Sequence, residues 1–293
     1  MTLSKRHHYI PEFFIKAFTD ENGKLAVFNK EKGIIEPHKK SPRQVFFEWH
    51  RNTFNIKGKE TDFVEKIYQF SEDKFSPTFR KLTEKQEPVE LEAFELFHLM
   101  QFISEIHWRV PNQDQSAIEY SKNSNSDNSS FQLKNKNTGE LAPLKIFNQI
   151  IKQPAFVETM KMIRSLEEVT EISKNDSLRD WKIYYVPKDS VQLHLLGDNP
   201  LILRKKEQIN ILKSELIFPL SKGKTVYHTK GKVINSIPAD NRLSIDLLTF
   251  IQAEKLVCGP NAEYLKSIST LALLYNTPDR IDLLKEKVFE VFK

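Results

Sequence analysis

Glycine is scarce in this chain, at 8 of 293 residues, and the shortage removes whole classes of function. There is no Gly-x-Gly-x-x-Gly and no Gly-x-x-x-x-Gly-Lys-Ser/Thr, the spacings that let backbone N–H groups close around a pyrophosphate or triphosphate. Dinucleotide and P-loop nucleotide binding therefore lack their usual cradle. Cysteine is reduced to Cys258, which excludes an intrachain disulfide and a cysteine-rich zinc site. The chain has no His-Glu-x-x-His, no His-x-Glu with paired cysteines and no Gly-x-Ser-x-Gly, which argues against zincin, deaminase and α/β-hydrolase chemistry. Long apolar runs are missing too: nothing approaches about 18 consecutive apolar residues, and no apolar stretch follows the basic start. A cytoplasmic protein with no membrane partner is expected.

Phenylalanine, in contrast, is abundant at 21 residues, and the chain is 39% hydrophobic and 28% charged. That composition fits a globular protein with an ample core. The net charge of +5 permits a polyanionic partner without requiring one.

The pattern along the chain is α+β. Residues 25–28 and 33–36 flank a polar loop and read as a β-hairpin. Residues 46–54 are aromatic-rich and expected to be extended. From about residue 61 the period turns helical, with an interruption at Pro77. Pro88 opens the clearest helix, residues 89–108, which is apolar over more than half its circumference and so belongs at the centre of a helical layer. Val110-Pro111 ends it. Residues 121–139, rich in Ser, Asn and Lys, are expected to form a mobile insert. Residues 143–173 are helical again, with a break near Pro154. Short strands follow at 181–186, 201–203, 216–218 and 225–227, and helices at 239–257, 262–275 and 278–293. The expected architecture is an N-terminal hairpin, a central helical layer with one long buried helix, a small mainly antiparallel sheet and C-terminal helices. It forms a single domain, 1–293, with a helical half, 1–175, and a β-containing half, 176–293.

Three constellations could carry chemistry. His7 and His8 stand just before Pro11, whose fixed φ suits a first helical position, and Ile10, Phe13, Phe14, Ala17 and Phe18 give that helix a face to bury. With Lys5 and Arg6 they crowd cations at a helix N-terminus, a place for a phosphate, and histidine moves protons near neutral pH. On the long helix His98, Gln101, Glu105 and Arg109 fall at offsets of 0, 3, 7 and 11 and share one face. Glu105 and Arg109 are in the favourable i,i+4 order and read either as a surface salt bridge or as pocket lining. Asp198-Asn199-Pro200 is a turn signal between two strands. Asp198 there could orient a histidine or ligate a divalent cation, Mg²⁺ or Mn²⁺.

Taken in order, His8-x-x-Pro11 with residues 13–18, Gln101 with Arg109-Val110-Pro111, Asp198-Asn199-Pro200 and Phe218-Pro219-Leu220-Ser221 resemble the bacterial family known as domain of unknown function 4238. The resemblance runs from Arg6 to about Tyr264 and departs from the family pattern at Gly197, where a serine is usual. It implies a bacterial, cytoplasmic protein, an antiviral role like that of members implicated in phage defence, and one shared site for His8, Gln101, Arg109 and Asp198. It names no reaction.

The expected function is a nuclease acting on RNA rather than DNA. His8 is the general acid or base, Arg109 stabilises charge on the phosphate, and Asp198 orients His8 or holds the cation. His7, Gln101, Glu105 and Asn199 support or bind the substrate. Nucleic acid is the expected partner, with a phage-encoded trigger. The alternative is a non-enzymatic sensor or binding module for a phage protein or nucleic acid, its polar residues serving as structural ties. Convergence of His8, Gln101, Arg109 and Asp198 on one cleft separates the two.

Overall fold

The computed structural model of the chain describes residues 5–293 except 57–58, 85–90, 124–131, 173–177, 187–189, 191–192, 206–209, 235 and 276. The chain opens with β1 (Arg6–His8) and the single-turn helix α1 (Glu12–Lys16). A hairpin of β2 (Ala26–Asn29) and β3 (Ile34–Ile35) follows, then β4 (Phe47–Trp49), β5 (Phe54–Ile56) and β6 (Lys59–Thr61). The helical layer contains α2 (Phe63–Glu84), α3 (Ala93–Arg109), α4 (Asp114–Asn123), α5 (Leu144–Ile150) and α6 (Pro154–Thr170). Next come β7 (Trp181–Tyr185), β8 (Leu196–Gly197), β9 (Ile202–Leu203), β10 (Leu216–Ser221) and β11 (Lys224–His228). The chain closes with α7 (Ala239–Gln252), β12 (Leu256–Gly259), α8 (Ala262–Ala272) and α9 (Pro278–Phe289).

The apolar positions of α3 dictate its place. Leu96, Leu99, Met100, Phe102, Ile103 and Ile106 are all buried, and the helix lies against both α2 and α6. Phenylalanine rings then join the layers. Phe102 stacks on Phe75 of α2 at 4.3 Å between centroids and lies 5.6 and 5.3 Å from Phe13 and Phe14 of the α1 segment. Phe14 in turn stacks on Phe218 of β10 at 5.3 Å. One core cluster consequently runs from Tyr9 to Cys258 and draws on both halves of the chain. A second cluster packs α7, α8 and α9 together.

Where one small sheet was expected, two four-stranded antiparallel sheets form, in the orders β3-β2-β12-β8 and β7-β11-β10-β9. The extra sheet arises from residues 256–259. They continue the helical spacing of α7 but are extended, and a short apolar run cannot be told from a helix end by period alone. Pro77 does not interrupt α2; burial of Phe75, Thr78, Phe79 and Leu82 outweighs the one hydrogen bond that proline removes. α3 begins at Ala93 rather than residue 89, where Glu92 and Glu95 form a capping box. Of the expected insert, residues 121–123 finish α4, residues 124–131 lie outside the described residues, and Lys134 bridges Leu141 across a turn. Among the described residues no helix is long and apolar enough to cross a membrane.

Phe102 meets rings from the α1 segment, α2 and β10, so Phe102→Ala should lower stability by about 3–5 kcal/mol. Urea unfolding checks this, and a loss below about 1 kcal/mol would contradict its place at the junction.

Candidate functional site

The site begins with strand alternation. β1 and β4 pair antiparallel, with Arg6 opposite Trp49, His7 opposite Glu48 and His8 opposite Phe47. A period of two sends neighbouring side chains to opposite faces. Arg6, His8, Phe47 and Trp49 therefore share one face, and His7 points to the other. His7 is fully buried, and its Nδ1 accepts the Asn52 backbone N–H at 2.8 Å. It ties the loop after β4 to β1, so the expected phosphate contact does not suit it. The side chain of Asn52 donates in turn to Glu65 Oε2 at 2.8 Å.

His8 is mostly buried. Burial, and secondarily the Arg109 charge, hold its pKa below the ordinary histidine value against the opposing pull of Glu12, whose Oε1 lies 3.9 Å from Nδ1. α1 is one turn long and begins after Pro11, which caps the helix rather than opening it. The carboxylate beside that helix start is the protein's own, from Glu12.

On α3 the polar stripe turns inward. Arg109 is 2% exposed. Its Nη1 donates to Glu72 Oε1 at 2.6 Å and stands 3.7 Å from Glu105 Oε1, and its guanidinium lies 4.1 Å from the Tyr68 ring centroid. Burial opposes the charge, but Glu72, Glu65 and Glu105 together raise the pKa above that of free arginine. The Glu105–Arg109 pair is thus not a surface salt bridge. Burial raises the Glu105 pKa to about 7, although Arg109 pulls it down. Gln101, further along the same face, is half-buried.

A second charge layer lies beneath. Lys161 of α6, 0% exposed, donates to the backbone carbonyls of Arg109 and Val110 at 3.2 and 3.1 Å and to Asp114 Oδ1 at 2.7 Å. It satisfies orphan carbonyls at the C-terminus of α3, where a cation also complements the helix dipole. Arg51 donates to Glu48, Asp114 and Glu158 at 2.6 to 2.7 Å. The Tyr68 hydroxyl donates to Glu158 Oε2 at 3.4 Å and so links the two layers.

Among the described residues, Arg51 Nε, Asn52 Oδ1, Glu105 Oε1 and Arg109 Nε of this network are buried without a hydrogen-bond partner, as is His8 Nε2 outside it. The same holds for atoms elsewhere in the fold, His98 Nδ1, Asn241 Oδ1 and Thr249 Oγ1 among them, so these atoms by themselves do not mark a site.

Asp198 stands apart. Its carboxylate accepts the backbone N–H groups of Glu254, Lys255 and Leu256 at 2.7, 2.6 and 2.9 Å, which fixes the turn from α7 into β12. Among the described residues it makes no hydrogen bond or ion pair to His8. It shares a small cavity with Tyr9 and Asn112, and the carbonyl of the neighbouring Asn199 accepts from Gln252 at 2.6 Å. Gly197 explains the departure from the usual serine: a Cβ there would meet the Thr249 carbonyl oxygen at 3.0 Å and the Ala253 Cβ at 3.1 Å. Among the described residues no group of three or more His, Cys, Asp or Glu side chains is arranged to hold a metal ion. A cavity of about 790 Å³ opens beside α1, lined by Phe13, Arg80, Tyr185 and Lys224 among others, but none of the sequence-predicted site residues lines it.

Sequence reasoning missed Glu65, Tyr68 and Glu72 of α2 and the Arg51-Asn52 pair. The signal was present: positions 65, 68 and 72 repeat at helical spacing and form a polar stripe that faces the one on α3.

The family model described as "Protein of unknown function (DUF4238)" matches residues 6–235, and the chain belongs to that family. Comparison with curated proteins and with solved structures returns no match.

Two predictions follow from these placements. Asp198→Ala leaves three backbone N–H groups unpaired and should cost about 2–4 kcal/mol in urea unfolding, with Asp198→Asn, which keeps one acceptor oxygen, recovering part of it. Glu105 has a folded pKa above its unfolded value, so its protonated form stabilises the fold below about pH 4.5. That contribution is lost as pH rises through about 7. Glu105→Gln should therefore flatten the decline of the thermal midpoint between pH 5 and pH 8; an unchanged slope would show that Glu105 is ionised throughout.

Proposed function

We propose that the protein is a nuclease of bacterial defence against phage, acting in the cytoplasm on RNA in preference to DNA, with His8 as its acid–base group. The observation that carries this reading is the place of His8 on the same ribbon face as Arg6 and the exposed Trp49, with its ring held neutral by burial and by the Arg109 charge. A neutral imidazole is the form that can accept a proton.

RNA carries its own nucleophile. The 2′-hydroxyl oxygen attacks phosphorus, its proton passes to the neutral His8 ring, and the P–O5′ bond breaks. The leaving 5′ oxygen takes a proton from solvent, and His8 returns the one it accepted to solvent. The products are a 2′,3′-cyclic phosphate and a free 5′-hydroxyl. Arg109 acts here as a positioning residue: Glu72 and Tyr68 hold its guanidinium, and its charge keeps His8 neutral and therefore basic. Asp198 holds the backbone turn and takes no part in the proton transfers. The defence role rests on the family resemblance, and a phage-encoded trigger is the expected activating partner.

A second reading has its own support. Asp198 is saturated by backbone amides and Arg109 is held by Glu72, as expected if the polar residues are ties in a non-enzymatic module that recognises a phage protein or nucleic acid.

Purified protein incubated with total RNA and with DNA, with and without Mg²⁺ or Mn²⁺, separates the readings. The nuclease should cleave RNA, and His8→Ala should slow cleavage by about 10²- to 10⁴-fold with little change in thermal midpoint. A folded His8→Ala protein with full activity overturns the assignment, and absence of cleavage under every condition favours the binding module.

A further inference from the structure

One face of the β1–β4 ribbon presents an aromatic surface. Trp49 is 61% exposed and meets Phe47 edge-on at 5.8 Å between ring centroids. Phe47 in turn lies 5.7 Å from the His8 ring. The Arg6 guanidinium sits over both aromatic rings, 4.4 Å from the Phe47 centroid and 5.0 Å from that of Trp49. Four side chains thus make one continuous run of flat groups, from the exposed indole to the histidine.

The charge around this run is mostly positive. Arg6 and Arg43 are exposed beside it, and Arg6 donates to the Arg43 carbonyl at 3.0 Å, which holds the two segments together. Glu12 is the acid on this side and is paired with Arg43 at 3.4 Å. The strand that presents Phe47 and Trp49 is bounded by two non-glycine residues at positive φ, Phe46 at 55° and His50 at 58°. For a bulky residue such as Phe46 that conformation is strained, and strain of this kind persists where a fold holds side chains in place for use. Here Phe46 is buried against Tyr9 while Phe47 and Trp49 face outward.

We infer that this face is a stacking platform for a single strand of nucleic acid, its bases lying on Trp49 and Phe47 and its phosphates beside Arg6 and Arg43. Exposed aromatic side chains interleaved with cations are how proteins grip unpaired bases, because every base offers a flat face and every nucleotide a negative charge. A duplex hides those faces and does not fit. The inference deepens the nuclease reading and rests on its nucleic-acid substrate: it narrows that substrate to unpaired RNA and delivers the strand to His8.

The test measures binding and cleavage separately. A fluorescent 12-nucleotide single-stranded RNA, the same strand as DNA and the RNA duplex are titrated into the His8→Ala protein, in which the strand stays intact, and into the same protein carrying Trp49→Ala or Trp49→Phe. Single strands should bind more tightly than the duplex, Trp49→Ala should weaken them about ten- to a hundredfold, and Trp49→Phe should recover part of the loss. Because Trp49 is largely exposed, its removal should leave the thermal midpoint nearly unchanged. Equal binding of duplex and single strand, or Trp49→Ala affinity equal to that of its parent, overturns the platform. So does a ribbon face that mediates self-association, lost in Trp49→Ala, without binding RNA. If Trp49-dependent binding appears but wild-type protein cleaves nothing, the platform stands and the nuclease reading fails. If wild-type protein cleaves single-stranded RNA and Trp49→Ala cleaves it equally well, the nuclease stands and the platform fails.

Discussion

Arg109 keeps its charge while almost wholly buried, and the surrounding elements are arranged as that charge requires. A guanidinium removed from water and left unpaired costs several kcal/mol, so α2 must bring Glu72 to it and α3 must place Glu105 one turn before it. The Tyr68 ring covers its face. The carbonyl of the same residue belongs to the last turn of α3, where Lys161 completes the cap from α6. Lys161 in turn needs Asp114 and Glu158, which also hold Arg51 from the loop beyond β4. The charges on α2, α3, α4, α6 and the ribbon loop thus form one chain of mutual requirement, and removing any member strands its neighbour.

The same arrangement sets the proton chemistry. Low polarity around Glu105 favours its neutral form, and the nearby arginine only partly opposes this. Around His8, burial and that same arginine both favour the neutral ring. One buried cation thus lowers both values while burial drives them in opposite directions, because a carboxyl is neutral when protonated and an imidazole when deprotonated. The ribbon divides the labour by alternation: His7 and Glu48 take one face, whereas Arg6, His8, Phe47 and Trp49 take the other, where Arg6 and Trp49 are exposed. A shift of one residue in register would exchange the two sets, and the buried His7–Asn52 bond is what prevents it.

Much of this was legible in the residues. The apolar circumference of α3, the hairpin around residues 29–32, the separation of α5 from α6 at Pro154, the closing helices and the family motifs were all readable, since each is a matter of local period or of a short, specific string. Less legible was whether a polar stripe faces water or the interior. Glu105 and Arg109 have the spacing of an ordinary surface pair, and although the stripe of Glu65, Tyr68 and Glu72 is itself readable on α2, nothing local reveals that the two stripes face each other. Asp198 misled for the opposite reason: an Asp in a turn can serve a ligand or a backbone, and three amide groups contributed from residues 254–256, far away in sequence, decide for the backbone.

The sequence by itself determined the class of fold, the helical layer with its buried axis, the family, and the exclusion of nucleotide cradles and cysteine-based metal sites, because these depend on composition, period and motif. Only the tertiary structure decided which face of the ribbon each histidine takes, that β12 is a strand inside a second sheet, and that Arg109 and Glu105 share a buried network. It also decided that Asp198 belongs to a turn and that Trp49 and Arg6 lie together on an open face. Each of these depends on what a residue meets across the fold, and burial, charge pairing and pKa are properties of that meeting rather than of the residue.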